Sequence, residues 1–397
     1  MNLQNWHRKQ GWVGIVGLIL ITFSTIVLAS CGNKASMLGL PGQSKNIGNE
    51  PSPVVMQKQQ GDSRRTFADW CRDKAFLTPE VKHTVEVLLK EAGTSRCDVA
   101  YQRLSSMEEL YLGGNQIKDI KPLESLTNLI RLGLKENQIS DIKPLKSLTG
   151  LTLLVLYKNQ ISDIKPLKSL TSLNELQLYS NQISDIKPLE SLTNLTLLQL
   201  ANNSIKNIKP LESLTNLKNL SLDGNPISDI KSLKSLTNLT QLNLSRNQIS
   251  DIKPLKSLTN LTNLWLGGCQ ISDIKPLESL TNLNELMLGG NQISDIKPLE
   301  PLTNLKVLFL GNNPPLSDIK PLKSLTNLTY LDIAGNKISD IKPLESLTNL
   351  NELQLSDNQI SDIEPLQSLS KLTEVSLYRN PITPKTCPLK PESICNW

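Results

Sequence analysis

Residues 239–260 read LTQLNLSRNQISDIKPLKSLTN, and this frame of 22 residues recurs along most of the chain. From Met107 onward, each copy places an apolar residue, two Leu in the order Leu-x-Leu, a polar Asn, two Ile and a Lys-Pro-Leu step at fixed positions. Thirteen copies can be counted by the Asn position, which is occupied by Asn115, Asn137, Asn159, Asn181, Asn203, Asn225, Asn247, Cys269, Asn291, Asn313, Asn336, Asn358 and Asn380.

The Leu-x-Leu step in each copy predicts a short β-strand. Because side chains alternate between the two faces of a strand, both leucines point inward and the residue between them points outward. The proline of Lys-Pro-Leu restricts regular helix on the return path. One interval, Asn313 to Asn336, has 23 residues, and we expect its added residue to lengthen a surface loop before Leu316 takes the usual Ile place.

This frame resembles the leucine-rich repeat, and its length resembles the class that includes the bacterial internalins. The resemblance covers about 280 of the 397 residues. It implies an α/β solenoid: a right-handed horseshoe with a parallel concave β-sheet and short irregular or 3₁₀ convex segments, capped at both ends. Internalins use the concave face for adhesion to other proteins, so the resemblance also implies a binding role.

The amino terminus predicts export. Arg8 and Lys9 precede an apolar run at 11–28, which reads as a signal peptide over 1–30. The following Leu28-Ala29-Ser30-Cys31 resembles the lipobox of bacterial lipoproteins, which implies that Cys31 carries lipid. The alternative is an uncleaved transmembrane anchor. Either places the remainder outside the cytoplasm, and Gly32 after the cysteine favours an outer-membrane or cell-surface address by resemblance.

Composition divides the remaining chain into a tether, two caps and the solenoid. Residues 31–61 lack apolar periodicity and indicate a flexible tether. Residues 62–106 form a predicted helical cap, with a helix that begins after Thr78 and ends near Gly93. The solenoid spans 107–382, and 383–397 form the second cap. In an oxidising compartment we expect two disulfides, although free thiols are the alternative: Cys71 with Cys97, and Cys387 with Cys395.

Catalytic and metal chemistry find little support in the sequence. Beyond the predicted signal peptide, His83 is the single histidine, and the familiar nucleophile, phosphate-binding and zinc motifs are absent. The recurring Ser-Asp-Ile-Lys step could suggest a calcium ladder, but each acid is followed by a base, which favours a solvated stripe. A net charge of +5 is too small and too mixed to indicate nucleic acid. We therefore expect no enzyme, no cofactor and no metal.

The aromatic residues of the repeats indicate where a ligand binds. All seven occupy three outward positions: before the first strand Leu, between the two, and after the second. They are Tyr111, Tyr157, Tyr179, Trp265, Phe309, Tyr330 and Tyr378. We expect these rings to project into the solvent of the groove as anchors for a partner. Two groups stand out, Trp265 with Met287, Val307, Phe309 and Tyr330, and Val155 with Tyr157 and Tyr179. The alternative is that neighbouring rings only shield one another.

The leading hypothesis is a non-catalytic, lipid-tethered, monomeric recognition module that binds an extracytoplasmic protein or peptide, or a glycan, on its concave face. The rival is a structural envelope protein without a discrete ligand.

Cys269 could be a reactive site, half of a disulfide or a substitute for Asn. The resemblance to leucine-rich repeats implies an inert buried thiol, because the recurring Asn position of such repeats, the ladder position, accepts small buried residues close to backbone groups of the neighbouring turn.

Overall fold

The computed structural model describes residues 65–397. The predicted signal peptide, Cys31 and the tether lie outside the described residues. A compact unit spans Asp62–Trp397. Within the described part of the chain, three α-helices precede a single parallel sheet of fourteen strands, whose spatial order follows the chain order.

The strands are three residues long, apart from a final strand of two. Each strand of the repeats begins one residue before the first inward residue of the Leu-x-Leu step and ends between the two inward residues. They are β1 Glu109–Tyr111, β2 Arg131–Gly133, β3 Leu153–Val155, β4 Glu175–Gln177, β5 Leu197–Gln199, β6 Asn219–Ser221, β7 Gln241–Asn243, β8 Asn263–Trp265, β9 Glu285–Met287, β10 Val307–Phe309, β11 Tyr330–Asp332, β12 Glu352–Gln354, β13 Glu374–Ser376 and β14 Cys395–Asn396.

The strands pair without offset, so equivalent residues of successive copies lie side by side. Leu242, for example, pairs with Leu220 on one side and Leu264 on the other. Both leucines of Leu-x-Leu and both isoleucines are almost wholly buried in each regular copy. One continuous aliphatic core therefore runs from the amino-terminal helices to the carboxy-terminal cap.

The return path uses 3₁₀ segments that begin at the Lys-Pro-Leu step. Most span five residues, and those of the repeats are Lys121–Leu123, Lys143–Ser147, Lys165–Ser169, Lys187–Ser191, Lys209–Ser213, Lys231–Ser235, Lys253–Ser257, Lys275–Ser279, Lys297–Leu299, Lys320–Ser324, Lys342–Ser346 and Glu364–Ser368. The Asp before each segment has a role that the sequence analysis did not assign. Asp251 Oδ1, for example, accepts a hydrogen bond from the backbone N–H of Lys253 at 3.0 Å.

The Asn ladder joins each copy to the one before it. Asn247 Oδ1 accepts from the N–H of Ile227 at 3.1 Å, and its Nδ2 donates to the carbonyl oxygens of Leu222 and Leu244 at 3.2 and 2.8 Å. The short strands leave backbone groups of the turns without hydrogen-bond partners, and each Asn side chain supplies those partners. The ladder therefore sets the distance between stacked copies. The residue before each ladder position has a positive φ, and Gly fills this place in only some copies, such as Gly268.

The added residue of the long copy lies in a turn, as predicted. The N–H of Leu316 donates to the carbonyl oxygen of Asn313 at 2.8 Å, and Leu316 is fully buried in the Ile place.

The amino-terminal cap has more helix than the sequence analysis predicted. Helix α1 spans Phe67–Arg72, α2 spans Pro79–Glu91 and α3 spans Cys97–Ser105, and a 3₁₀ turn, Lys74–Phe76, joins the first two. Only α2 was expected. Its start after Thr78 and the left-handed Gly93 behind its end confirm the predicted bounds. The helix covers the first repeat: Thr84 Oγ1 and His83 Nε2 donate to the carbonyl oxygens of Asp119 and Asn115, both at 2.7 Å.

Both predicted disulfides are present, between Cys71 and Cys97 and between Cys387 and Cys395. The first joins α1 to α3, and the second ties β14 to the preceding tail. Strand β14 was not anticipated, because its sequence does not follow the repeat frame. It extends the sheet by pairing Val375 with Cys395 and Ser376 with Asn396.

Candidate functional site

The outward positions of the strands form three rows along the concave face. The outer row begins each strand, as at Glu285 and Tyr330. The middle row lies between the two leucines, as at Trp265 and Asp332. The turn row follows the second Leu, as at Tyr179. All seven aromatic residues of the repeats lie in these rows, while the inward positions hold aliphatic side chains.

The expectation that all these rings project into solvent is wrong for Trp265 and Phe309. Only 6% of Trp265 and 4% of Phe309 is exposed. Trp265 Nε1 donates to Glu285 Oε1 at 2.8 Å, and Glu285 Oε2 accepts from Asn263 Nδ2 at 2.9 Å. Strand pairing without offset explains the burial, because side chains on adjacent strands stand about 4.8 Å apart and cover these rings, as Met287 does beside Trp265 and Tyr330 beside Phe309.

The other members of this first group are more accessible. Met287, Val307 and Tyr330 are half-buried on the strands that follow Trp265. The ring centroids of Phe309 and Tyr330 lie 4.7 Å apart with a 32° tilt. The first group is thus a contiguous apolar surface across β8 to β11, whose accessible part is supplied by its half-buried members.

The second group centres on two stacked tyrosines in the turn row. The ring centroids of Tyr157 and Tyr179 lie 4.2 Å apart with an interplanar angle of 14°. Lys135 Nζ lies 5.6 Å from the centroid of Tyr157. Burial, and after it the neighbouring Tyr157, raises the pKa of the Tyr179 phenol, so Tyr179 is neutral at physiological pH. Val155 is half-buried in the adjacent middle row.

Two further tyrosines stand at the ends of the sheet and are the most exposed of the seven, at 47% for Tyr111 and 49% for Tyr378. The ring of Tyr111 lies over Gly133, where an added Cβ would come within 2.6 Å of it.

A polar stretch on β6 and β7 separates the two groups. Ser221 Oγ and Arg246 Nη2 both donate to the carboxylate of Asp223, at 2.8 and 2.6 Å. Asn243 Oδ1 accepts from the N–H of Ser245 at 3.1 Å. The buried Oε1 of Gln241 has no hydrogen-bond partner in the described region. Apart from the ion pair of Asp223 with Arg246, this stretch offers neutral donors and acceptors between two apolar surfaces.

The sequence analysis did not single out Asp332, in the middle row of β11. Only 8% of this residue is exposed, and burial raises the pKa of its carboxyl to about 6. The sequence shows an acidic residue next to Phe309 in the middle row, but its burial depends on what the adjacent strands carry.

Cys269 is a buried free thiol that occupies the ladder position, as expected. Its Sγ donates to the carbonyl oxygen of Leu244 at 3.5 Å, and burial raises the pKa of the thiol.

Among the described residues, no group of three or more His, Cys, Asp and Glu side chains could hold a metal ion. Within 65–397, no helix is long and apolar enough to cross a membrane.

Comparison with known proteins agrees with this geometry. A family model described as "Leucine Rich repeats (2 copies)" matches residues 105–147, 149–191, 193–236, 237–279, 259–302, 281–324, 303–346, 326–357 and 348–389. No curated protein sequence matches the chain.

Three solved structures illustrate the likeness. An internalin of Listeria monocytogenes, InlF, is 38% identical, with a TM-score of 0.72 over 76% of this chain and 90% of that one. A leucine-rich repeat protein of Leptospira interrogans is 27% identical, with a TM-score of 0.62 over 72% and 88%. The functional domain of InlJ from L. monocytogenes, which includes a cysteine ladder, shares the fold at 20% identity and a TM-score of 0.63, over 80% and 76%. This chain therefore belongs to the leucine-rich repeat family, and its repeat region is similar in structure to the internalins.

Proposed function

We propose that this chain is a lipid-tethered recognition module of a bacterial envelope and that its concave face binds a protein ligand. The observation that carries the proposal is the placement of all seven repeat aromatics in the three concave rows. The core does not need them there, because aliphatic side chains fill the interior. Aromatic residues on a rigid surface are frequent hot spots of protein interfaces.

The contact surface differs from the one expected from sequence alone. Because Trp265 and Phe309 are almost covered, they support the surface and do not insert into a partner. The accessible anchors are the Tyr157–Tyr179 stack and the half-buried Met287, Val307 and Tyr330. A ligand that contacts both groups spans the polar stretch on β6 and β7, whose amide and hydroxyl groups suit hydrogen bonds to a polypeptide.

The cellular part of the proposal rests on the amino-terminal sequence. Lipidation of Cys31 would tether the module to a membrane, and a surface or outer-membrane location follows from the lipobox resemblance. The two disulfides favour an oxidising compartment. Proteins of the leucine-rich repeat family are typically non-catalytic binding modules, and we include a non-catalytic, monomeric role in the proposal.

The test uses the full-length chain to recover a binding protein from extracellular and envelope fractions, followed by titration of that protein. Replacing both Tyr157 and Tyr179 with Ala should weaken binding at least about 10-fold, since anchor residues each contribute more than about 1 kcal/mol. The matched control is Lys253→Ala on the convex side. Equal affinity of both variants and the wild type would reject the concave site, and recovery of glycan alone would reject a protein ligand.

A further inference from the structure

The acidic side chain of Asp332 is almost completely buried on the concave face. It projects from the middle row of β11, between the inward Leu331 and Ile333, and it is more than nine-tenths buried. Its neighbours in the same row are Phe309 on β10 and Gln354 on β12. A carboxylate that loses most of its water in such surroundings is costly unless it is paired.

The structure gives this carboxylate a single hydrogen bond. Asp332 Oδ1 accepts from the backbone N–H of Ala334 at 2.9 Å. Within the described part of the chain, Asp332 forms no ion pair with a lysine or arginine. One backbone hydrogen bond satisfies one oxygen and leaves the negative charge uncompensated.

The local turn does not require a charge. Asn243 occupies the same middle-row position on β7, and its Oδ1 accepts from the N–H of Ser245 at 3.1 Å. Each of the two residues thus accepts a hydrogen bond from the backbone N–H two positions later in the chain. Asn243 does so with a neutral amide and Asp332 with a carboxylate. A purely structural role would be filled by Asn, so the negative charge of Asp332 needs another explanation.

The turn row next to this carboxylate carries only small residues. Gly311 lies beside it in the turn row, and a Cβ added there would approach Asp332 Oδ1 to 2.9 Å. The turn row continues through small residues, Gly267, Gly289, Gly311 and Ala334, beside the middle row. No bulky turn-row side chain therefore covers Asp332, and its nearest aromatic neighbours are Phe309 and Tyr330.

The electrostatic environment of Asp332 is acidic. Tyr330, on the same strand, has a pKa raised first by burial and then by the charges of Asp332, Glu352 and Glu374. Glu352 and Glu374 begin β12 and β13, so three carboxylates face the same side of the sheet. Strand β10 contributes no charge from its outward residues Val307 and Phe309. Aromatic faces beside a carboxylate also attract cations.

On the basis of the concave site proposed above, we propose that Asp332 is a specificity-determining residue that receives the cationic side chain of a lysine or arginine from a bound protein ligand, with Phe309 and Tyr330 at its sides. The partner is thereby specified as a protein that presents a basic residue within an apolar segment. The charge of Asp332 costs stability in the free chain and is compensated in the complex. Recognition should weaken at low pH, where Asp332 is protonated.

The probe for this inference is an array of 12-residue peptides of random sequence, exposed to the full-length chain. Wild type should select peptides that contain lysine or arginine. For the tightest peptide, Asp332→Asn should raise Kd about 10-fold at pH 7.5, and replacement of the basic residue by norleucine should do the same. The two changes together should cost no more than either alone, because they remove one interaction. At pH 5 the wild type should lose affinity and Asp332→Asn should not.

Two control variants distinguish an effect on recognition from an effect on folding and from the loss of a carboxylate elsewhere on the concave face. Asp332→Asn retains an acceptor for Ala334, so its melting temperature should equal or exceed that of the wild type. Glu175→Gln removes a concave carboxylate on β4, far along the sheet from β11, and should leave Kd unchanged.

The outcomes also distinguish this inference from the proposed function. Unchanged binding by Asp332→Asn, together with loss in the Tyr157→Ala, Tyr179→Ala variant, would overturn the inference and leave the concave site standing. Unchanged binding in both variants would overturn both. Selection without any preference for basic residues, or no selection at all, would overturn the inference.

Discussion

The thiol of Cys269 shares the carbonyl oxygen of Leu244 with Asn247 of the preceding copy: Cys269 Sγ lies 3.5 Å from that oxygen, and Asn247 Nδ2 lies 2.8 Å from it. At each other ladder position from 137 to 380, the Asn also accepts a hydrogen bond from a backbone N–H of the previous turn, as Asn291 does from Ile271 at 3.1 Å. The sulfur of Cys269 is a weak acceptor in this place. The hydrogen bonding between copies is therefore weaker at position 269 than at the neighbouring ladder positions.

Cys269→Asn should raise the free energy of unfolding by about 1 kcal/mol, because it restores a buried hydrogen bond to the backbone. Urea unfolding measures this change. The reverse exchange, Asn247→Cys, is the matched control and should lower stability by a similar amount. A destabilised Cys269→Asn chain would show that the sulfur packs better than the ladder model allows.

The folded thiol of Cys269 should also react slowly with aromatic disulfide reagents at pH 7. Burial both raises its pKa and blocks access, so little thiolate is available. Rapid modification of the folded chain, at the rate seen in urea, would contradict an inert structural role.

Asp332 should make stability depend on pH. Its pKa is about 6 in the folded chain against a usual value of 3.8, so the folded state binds the proton more tightly. Stability should consequently fall as pH rises from about 4 to about 6, and should stay level above that. Asp332→Asn should remove this slope and stabilise the chain at pH 7.5 by up to about 3 kcal/mol. A variant that loses stability at pH 7.5 would contradict an uncompensated charge.

Asp251 should act as a turn-capping residue, since its carboxylate accepts from the N–H of Lys253 at 3.0 Å. Asp251→Ala should cost about 1 kcal/mol, whereas Asp251→Asn should be nearly neutral. Asn207 supports this expectation, because it makes the same bond to Lys209 at 3.0 Å. Equal losses in both variants, measured by thermal unfolding, would indicate that charge and not the hydrogen bond matters.

The Cys71–Cys97 disulfide should stabilise the amino-terminal cap. Replacing both residues with Ser should lower stability by about 3 kcal/mol, since the bond closes a loop of 26 residues. Hydrogen exchange should then rise first in α1 and α3. The Cys387–Cys395 pair closes a shorter loop and provides the comparison. Unchanged exchange in α1 and α3 would mean that packing on β1 alone holds the cap.

The inward leucines of Leu-x-Leu recur in register, and a single copy cannot bury them. The repeat frame therefore predicted that the copies stack into a solenoid. The strands and the long copy at Leu316 followed from this periodicity, whereas the 3₁₀ return path and the ladder were implied by the resemblance to leucine-rich repeats. Helices α1 and α3 and strand β14 did not, because they lie outside the frame and depend on packing against the ends of the core.

The concave site was predicted less well than the fold. Sequence placed Trp265 and Phe309 in the outward rows, but their exposure depends on what the adjacent strands carry. Glu285 and Met287 beside Trp265, and Tyr330 beside Phe309, cover those rings. For the same reason the burial of Asp332 became visible only when the row was assembled.

The central claim, that the concave face receives the ligand, is tested most directly by site-specific photo-cross-linking. A photoreactive amino acid replaces Gln199 on β5 in one chain and Lys253 on the convex side in another, and each is irradiated with the ligand recovered by the wild type. The account predicts a cross-linked ligand from position 199 and none from position 253. Cross-linking from position 253 without any from position 199 would contradict it.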